Sequence, residues 1–348
     1  MDFLKILILY GAERLTDERS ISAIYSIIVG KKSSQTIQDV SWFRLKKWYH
    51  CFPNLSKATF DESVSFLIKN GFIFINEKTV SITPSGKKAL QENLKNYPPL
   101  NHLNGYEYFN TDEKFWCRLN LIVQSLSYLV HNDSSFYPVE RKMEIQYWVK
   151  KWLNEKRKVF EKDTLFQMVR EELFQIFSKM EKSNLQPSLV VYRLSGYKSP
   201  GLTSNQLSQA LKIEEVFYQL SFLDHIHYML KTIWSERENY PLLHTLFEYR
   251  NVLLTSSSEQ TYELIKKGYS IDEIVKIRRL KRSTIEDHVV EIVLKDPTFS
   301  IDPFVSLELQ NKLVNLISNV SYRKLSKLKE DVKEADYFAI RLVLSKYS

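Results

Sequence analysis

The stretch SIDEIVKIRRLKRSTIEDHVVEIV, residues 270–293, decides how the chain is read. It divides into two helical segments joined by a basic bend at residues 278–282. Ser270-x-x-Glu273 is a capping box, a reciprocal pairing of side chain and backbone that opens a helix. Ser283-x-x-Glu286 predicts another at the start of the next helix. Ile285, Val289, Ile292 and Val293 recur at helical spacing and mark its buried face. Turning about 100° per residue then predicts Asp287 and Glu291 on the far side, flanked by Val290 and Leu294. Upstream, Ser258 or a neighbour caps a helix that Gly268 ends. Three helices with short, well-marked turns predict a helix-turn-helix core. Further helices near 307–318 and 336–345 complete a domain over 256–348.

The bend carries opposing signals. Lys276, Arg278, Arg279, Lys281 and Arg282 form a dense basic run placed to neutralise phosphates. Ser283 and Thr284 sit at a helix N-terminus, where exposed N–H groups favour an anion. Asp287 and Glu291 repel a phosphate backbone, however, and acids mixed with Val290 and Leu294 suit a protein-docking face. The bend thus favours nucleic acid while the helix beyond it favours a protein partner.

Working outward, residues 1–95 read as a second unit. Helical segments are expected near 3–10, 20–29 and 42–51. Ser56 caps a helix in which Phe60, Val64, Leu67 and Ile68 share one face, and Gly71 suits its stop. Residues 72–75 and 79–82 are β-prone runs around NEK, a hairpin signature. TPSGKKAL then starts another helix. Helix, hairpin, helix is the outline of a winged helix. Lys57 and Lys78, with Lys69, Lys87 and Lys88, are placed for phosphates, whereas Phe66 beside Glu62 and Ser65 offers a protein contact.

The linker ENLKNYPPLNHLNG separates this unit from a helical middle domain over 107–250. Its apolar, periodic stretches EKFWCRLNLIVQSLSYLV and TLFQMVREELFQIFSKM are too hydrophobic for linkers. Trp116, Trp148, Trp152 and Trp234 are expected in helix packing. Within it, GLTSNQLSQALKIEEVFYQL holds a second capping box, Thr203-x-x-Gln206, preceded like Ser270-x-x-Glu273 by a Gly two residues earlier and followed by an apolar pair and then Leu-Lys. A divergent repeat of a helix-turn-helix-like unit fits that match.

Composition agrees with a mainly α, multi-domain protein. Hydrophobic residues make up 44% of 348, and Gly (8) and Pro (10) are too few for a turn-rich β fold. The net charge of +8 and pI near 9.1 permit a polyanionic or acidic partner. Cys51 and Cys117 are isolated, which excludes a disulfide framework or zinc knuckle and fits the cytoplasm. The apolar start MDFLKILILYGAERL reads as a buried helix rather than a signal peptide, and no run reaches membrane-spanning length. VGKKSS and PSGKKA lack the glycine spacing of a phosphate-binding loop. His225 and His227 are two apart, so on a helix they diverge. No catalytic residue, metal or cofactor is expected.

The segment SSEQTYELIKKGYSIDEIVKIRRLKRSTIEDHVVEIV, with SIDPFVS and ADYFAIRLVLS, resembles the helicase-associated helix-turn-helix at the C-terminal end of some bacterial RecQ-type helicases. The likeness spans residues 256–346. With SSQTIQD and YRLSGYKSPGLTSNQL, the whole chain is similar to YpbB-like proteins, free-standing relatives of that domain. The resemblance implies a non-catalytic companion of a RecQ-type helicase in DNA repair or recombination. It carries over no catalytic residue. A protein-interaction scaffold and a winged-helix transcription regulator are the alternatives.

Overall fold

The structure is a computed structural model describing residues 1–133, 135–248, 254–296, 298–319 and 325–347. The chain forms two compact units, Met1–Leu4 with Lys95–Tyr249, and Lys5–Leu94 with Arg250–Ser348. Helices dominate both, and the sheet among the described residues is one two-stranded hairpin.

The N-terminal elements are α1 (Phe3–Leu15), α2 (Ile21–Val29), α3 (Ser34–Trp42), α4 (Lys57–Lys69), β1 (Ile73–Asn76), β2 (Thr79–Ile82) and α5 (Pro84–Leu94). Ile6, Ile8, Leu9, Ala12 and Leu15 of α1 are almost completely buried, which explains why this apolar stretch is a core helix. Ser56 caps α4 by accepting from the Thr59 N–H at 3.0 Å. Phe60, Val64 and Leu67 face inward as expected, but Ile68 is 43% exposed and Ser63 takes a buried position. The hairpin pairs antiparallel, with Ile73 opposite Ile82 and Asn76 opposite Thr79. Val80 also exchanges backbone bonds with Asp17 and Arg19, anchoring the hairpin beside the end of α1. Gly86 lets α5 lie on the hairpin's approach, since a Cβ there would meet the Phe72 carbonyl oxygen at 2.1 Å.

One helix is displaced from expectation. Residues 42–51 hold only a 3-10 turn at Lys46–Trp48, and the true helix is α3. Ser33 starts it by accepting from the Thr36 N–H, and Arg44 at φ 55° follows its end. Its buried set includes Thr36, Gln38 and Asp39, so hydrophobic spacing could not disclose it. Asp39 is held by Arg19 at 2.8 Å and by the Gln35 amide.

The middle unit is built from α6 (Thr111–Val130), α7 (Met143–Lys156), α8 (Lys162–Lys182), α9 (Ser188–Val191), α10 (Ser204–Leu211) and α11 (Glu215–Ser235). Phe115, Leu119 and Ile122 of α6 share one core with Leu165, Ile176 and Met180 of α8 and Met229, Leu230 and Ile233 of α11. Trp152 is buried and donates Nε1–H to Thr245 at 2.8 Å, Trp116 and Trp148 pack partly buried against the core, and Trp234 is 39% exposed. Glu172, buried among these helices, accepts the Leu242 and Leu243 N–H groups. Burial pushes its carboxyl above the usual range.

The C-terminal elements are α12 (Ser256–Lys266), α13 (Ile271–Arg278), α14 (Arg282–Lys295), α15 (Leu307–Asn319), α16 (Leu325–Asp331) and α17 (Tyr337–Tyr347). They close on the N-terminal segment, because α3 packs against both α14 and α17. The Trp42 indole donates to Ser345 at 3.2 Å, and Arg341 reaches Gln38 at 3.2 Å.

Candidate nucleic-acid interface

The capping box at Ser270 is formed in both directions, and α13 stops after eight residues at Arg279, whose φ of 49° is left-handed. The middle-domain match has the same local build. Thr203 and Gln206 form their box, α10 is also eight residues long, and Lys212 ends it at φ 54°. In each case a basic residue takes the left-handed position and a long helix follows. The third expected box is absent: α14 begins at Arg282 after Lys281, with no side-chain cap, and Glu286 bonds Arg282 instead.

The five cations of the bend separate into two kinds. Lys276, Arg279 and Lys281 are exposed at the surface. Arg278 is turned inward and ties α13 to α12. It donates to the Ser257 carbonyl and the Thr261 hydroxyl at 2.5 Å each, and to Ser257 Oγ and Gln260 Oε1 at 3.0 Å. Desolvation shifts its guanidinium below the usual range. Arg282 is exposed but divided between Asp272 at 2.5 Å and Glu286 at 3.0 Å. Phosphate-contacting roles for Arg278 and Arg282 would therefore require breaking these bonds, which sequence spacing alone could not reveal. Ser283 is exposed and Thr284 half-buried at the α14 N-terminus.

The far face of α14 corrects a second expectation. Val290 and Glu291 are both 0% exposed, because α14 is packed by α12, α13, α17 and α3. Glu291 accepts the Thr255 N–H, the Thr255 hydroxyl at 3.2 Å and the Ser258 hydroxyl at 2.6 Å, so it caps α12 from within. Asp287 is paired with Arg341 of α17. Val290 therefore offers no open docking surface, and Leu294 is half-buried. The partners that sequence reasoning does not find are Ser257, Thr261 and Arg341. Ser257 and Thr261, four apart on α12, are the one signal available for the first two.

His288 completes this interior. The Thr261 hydroxyl, which accepts from Arg278, lies 2.8 Å from His288 Nδ1 and 3.5 Å from the Ser257 carbonyl, so the guanidinium shares one buried polar cluster with the imidazole. Burial, then the Arg278 charge, lowers its pKa to about 4.

Around the hairpin, Lys57 is exposed and paired with Asp61 of α4, and Lys78 stands exposed at the turn. Phe66 is 41% exposed, with the Lys5 ammonium 4.9 Å from its ring centroid. In the middle unit, His225 and His227 are buried and bind backbone. His225 Nε2 accepts the Gln186 N–H at 3.0 Å, and His227 Nδ1 accepts the Asn104 N–H at 2.9 Å. Among the described residues no cluster of three or more His, Cys, Asp or Glu is arranged to hold a metal. No helix among them is long and apolar enough to cross a membrane.

Residues 257–344 match the family described as a helix-turn-helix domain, which covers α12 to most of α17. No solved structure matches the chain. Across 351 residues the sequence is 31% identical to Protein YpbB of Bacillus subtilis (strain 168), covering 99% of this chain and 98% of that protein. A likeness that runs the whole length takes in the helix–hairpin unit and the middle helices as well as α12–α17, and the chain belongs to the YpbB family.

Proposed function

We propose that this chain is a non-catalytic accessory protein of a RecQ-type helicase in DNA repair or recombination, cytoplasmic and able to associate with the nucleoid. It contacts DNA through phosphates rather than base edges. The observation that carries this reading is the pairing of an enclosed α14 with an open bend. The helix that would read bases is enclosed by its neighbours along most of its length, while Lys276, Arg279 and Lys281 remain exposed at its N-terminal approach. Phosphate contacts need only such surface cations and backbone N–H groups, and they carry no sequence information. Lys57 and Lys78 extend the same chemistry to the helix–hairpin unit. The helicase partner is what the resemblance of residues 256–346 implies.

The test is a binding titration on duplex, forked and single-stranded DNA across a salt series. Wild type is compared with a Lys276→Ala, Arg279→Ala, Lys281→Ala variant, which spares the internal bonds of Arg278 and Arg282. The expected result is weaker duplex binding by the variant, with single-strand binding little changed, and a salt slope shallower by about 0.9 for each duplex phosphate it no longer neutralises. Equal affinities with equal salt dependence remove the bend from the interface. Affinity capture followed by mass spectrometry, with and without nuclease, separates a direct helicase partner from one bridged by DNA.

A scaffold that binds only proteins is favoured by one observation, the exposed Phe66 beside Asp61, Glu62 and Ser65 on α4. Helicase capture with no shift of any DNA would select it. A winged-helix regulator would need α4 to read bases, and its mixed acidic and aromatic face opposes that.

A further inference from the structure

The chain's positive charge is concentrated away from the helix-turn-helix domain. Residues 256–295 hold eight Lys or Arg against seven Asp or Glu, nearly balanced. Residues 141–158 hold seven against two, a net +5 of the chain's +8. That segment is α7 with its two flanks, and the orientation of α7 is fixed by Ile145, Val149 and Trp152, all at most 5% exposed in the core. Turning about 100° per residue, the opposite side presents Met143, Tyr147, Lys150 and Asn154, with Lys151 at one edge.

Two of these are large side chains in full view. Tyr147 is 73% exposed and Met143 75%. Tyr147 makes no ring contact or hydrogen bond among the described residues, so its face and its hydroxyl are both open. The carboxylates Glu144 and Glu155 lie past Lys151, and Glu155 is 3.9 Å from the Lys151 ammonium. The other flank has no acid: Lys150, then Arg157 and Lys158 just beyond the helix, are exposed and make no ion pair among the described residues. On the segment leading into α7, Tyr137 is 96% exposed and Arg141, four residues on, is also exposed.

We propose that this face of α7 binds single-stranded polynucleotide, with Tyr147 as a stacking platform and Lys150 and Arg157 tracking the phosphates. Scattered surface apolar residues are ordinary. Here an unpartnered aromatic lies at the centre of a cationic arc, the combination that unpaired strands use because every base offers a π-face and every nucleotide a charge. A rigid duplex hides its bases from such a platform. The face lies in the other compact unit from the α13–α14 bend, so the proposal stands independently of duplex binding there.

The experiment uses the full-length chain and fluorescein-labelled dT20 and rU20, read by anisotropy, with melting curves confirming that each variant is folded. Tyr147→Ala is expected to weaken dT20 binding by about fivefold or more, and Tyr147→Phe to stay within about twofold, because the ring rather than the hydroxyl stacks. Lys150→Ala with Arg157→Ala should make the salt slope shallower by about 0.7 for each single-strand phosphate left without its cation. The Lys276, Arg279, Lys281 variant should bind dT20 like wild type. A matching loss on rU20 assigns recognition to base and phosphate alone, and a loss confined to one strand type assigns that strand. Unchanged binding of Tyr147→Ala to both strands, or Tyr147-dependent capture by phosphatidylserine vesicles without strand binding, overturns the proposal.

Discussion

α14 and α4 are the two helices of one compact unit that a groove-reading protein would insert, and they are treated in opposite ways. Nine of the thirteen residues of α4 are exposed, against two of the fourteen of α14. α4 is capped, stopped at Gly71 and leaned on the hairpin by one face only. α14 is a post: α12, α13, α17 and α3 surround it, Glu291 is buried on the start of α12, and the half-exposed Asp287 is paired with Arg341. A helix-turn-helix order along the chain therefore does not place the second helix at the surface. The long-range closure of α3 over α14 converts a candidate reading helix into the structural centre of the unit.

The sharpest way to break this contrast is to remove Glu291. Its carboxylate is 0% exposed and accepts three donors, two from Thr255 and one from the fully buried Ser258. Glu291→Ala should cost roughly 3 kcal/mol, the scale for orphaning buried donors of a charged acceptor. Glu62→Ala on the open face of α4 should stay within about 0.5 kcal/mol. Chemical denaturation of the two variants checks both, and comparable losses would show that α14 is no more central than α4.

Next in size is a pH effect. His288 has a folded pKa near 4 against an ordinary 6.5. A lowered pKa means the folded state takes up its proton later than the unfolded chain does. The stability it confers is present above pH 6.5 and lost as pH falls towards 4, by up to roughly 3 kcal/mol in this case. Carboxylates also titrate there, so the readout is the difference between wild type and His288→Gln. That variant should start less stable at pH 7 and lose less on acidification; parallel curves for both proteins would exclude the coupling through Thr261 and Arg278.

How much of this is legible in the sequence follows from the range of the interactions involved. The capping boxes at Thr203 and Ser270, the presence of the hairpin (its first strand one residue later than expected) and the inward Phe60, Val64 and Leu67 depend on residues within a few positions of each other. Local periodicity finds those. The burial of Val290 and Glu291 depends on α3 and α17, and no pattern within residues 270–293 encodes a neighbour from residues 34–42. A helical wheel locates the first buried stripe and labels the remainder solvent; when a second layer covers that remainder, the label fails. α3 escapes the same reading for a related reason, since polar Thr36, Gln38 and Asp39 occupy its interior. The inward turn of Arg278 is equally hidden, because a run of cations looks the same whether each one faces water or a neighbouring helix.

A small stability effect carries the most information about partners. Phe66 is 41% exposed and its ring has a cation from Lys5 above it, an interaction worth about 0.5–1 kcal/mol at such a site. Phe66→Ala should therefore lower stability by no more than about 1 kcal/mol, far less than a buried aromatic would. If α4 is presented to a protein, the same substitution should abolish helicase capture while leaving DNA titrations unchanged, because truncating an aromatic anchor at an interface centre commonly costs about 2 kcal/mol or more. The opposite pattern, intact capture with weakened DNA binding, would move α4 from the partner side to the phosphate side. The openness of α4 would then serve the same polyanion as the bend, and the two helices would differ in burial but not in ligand.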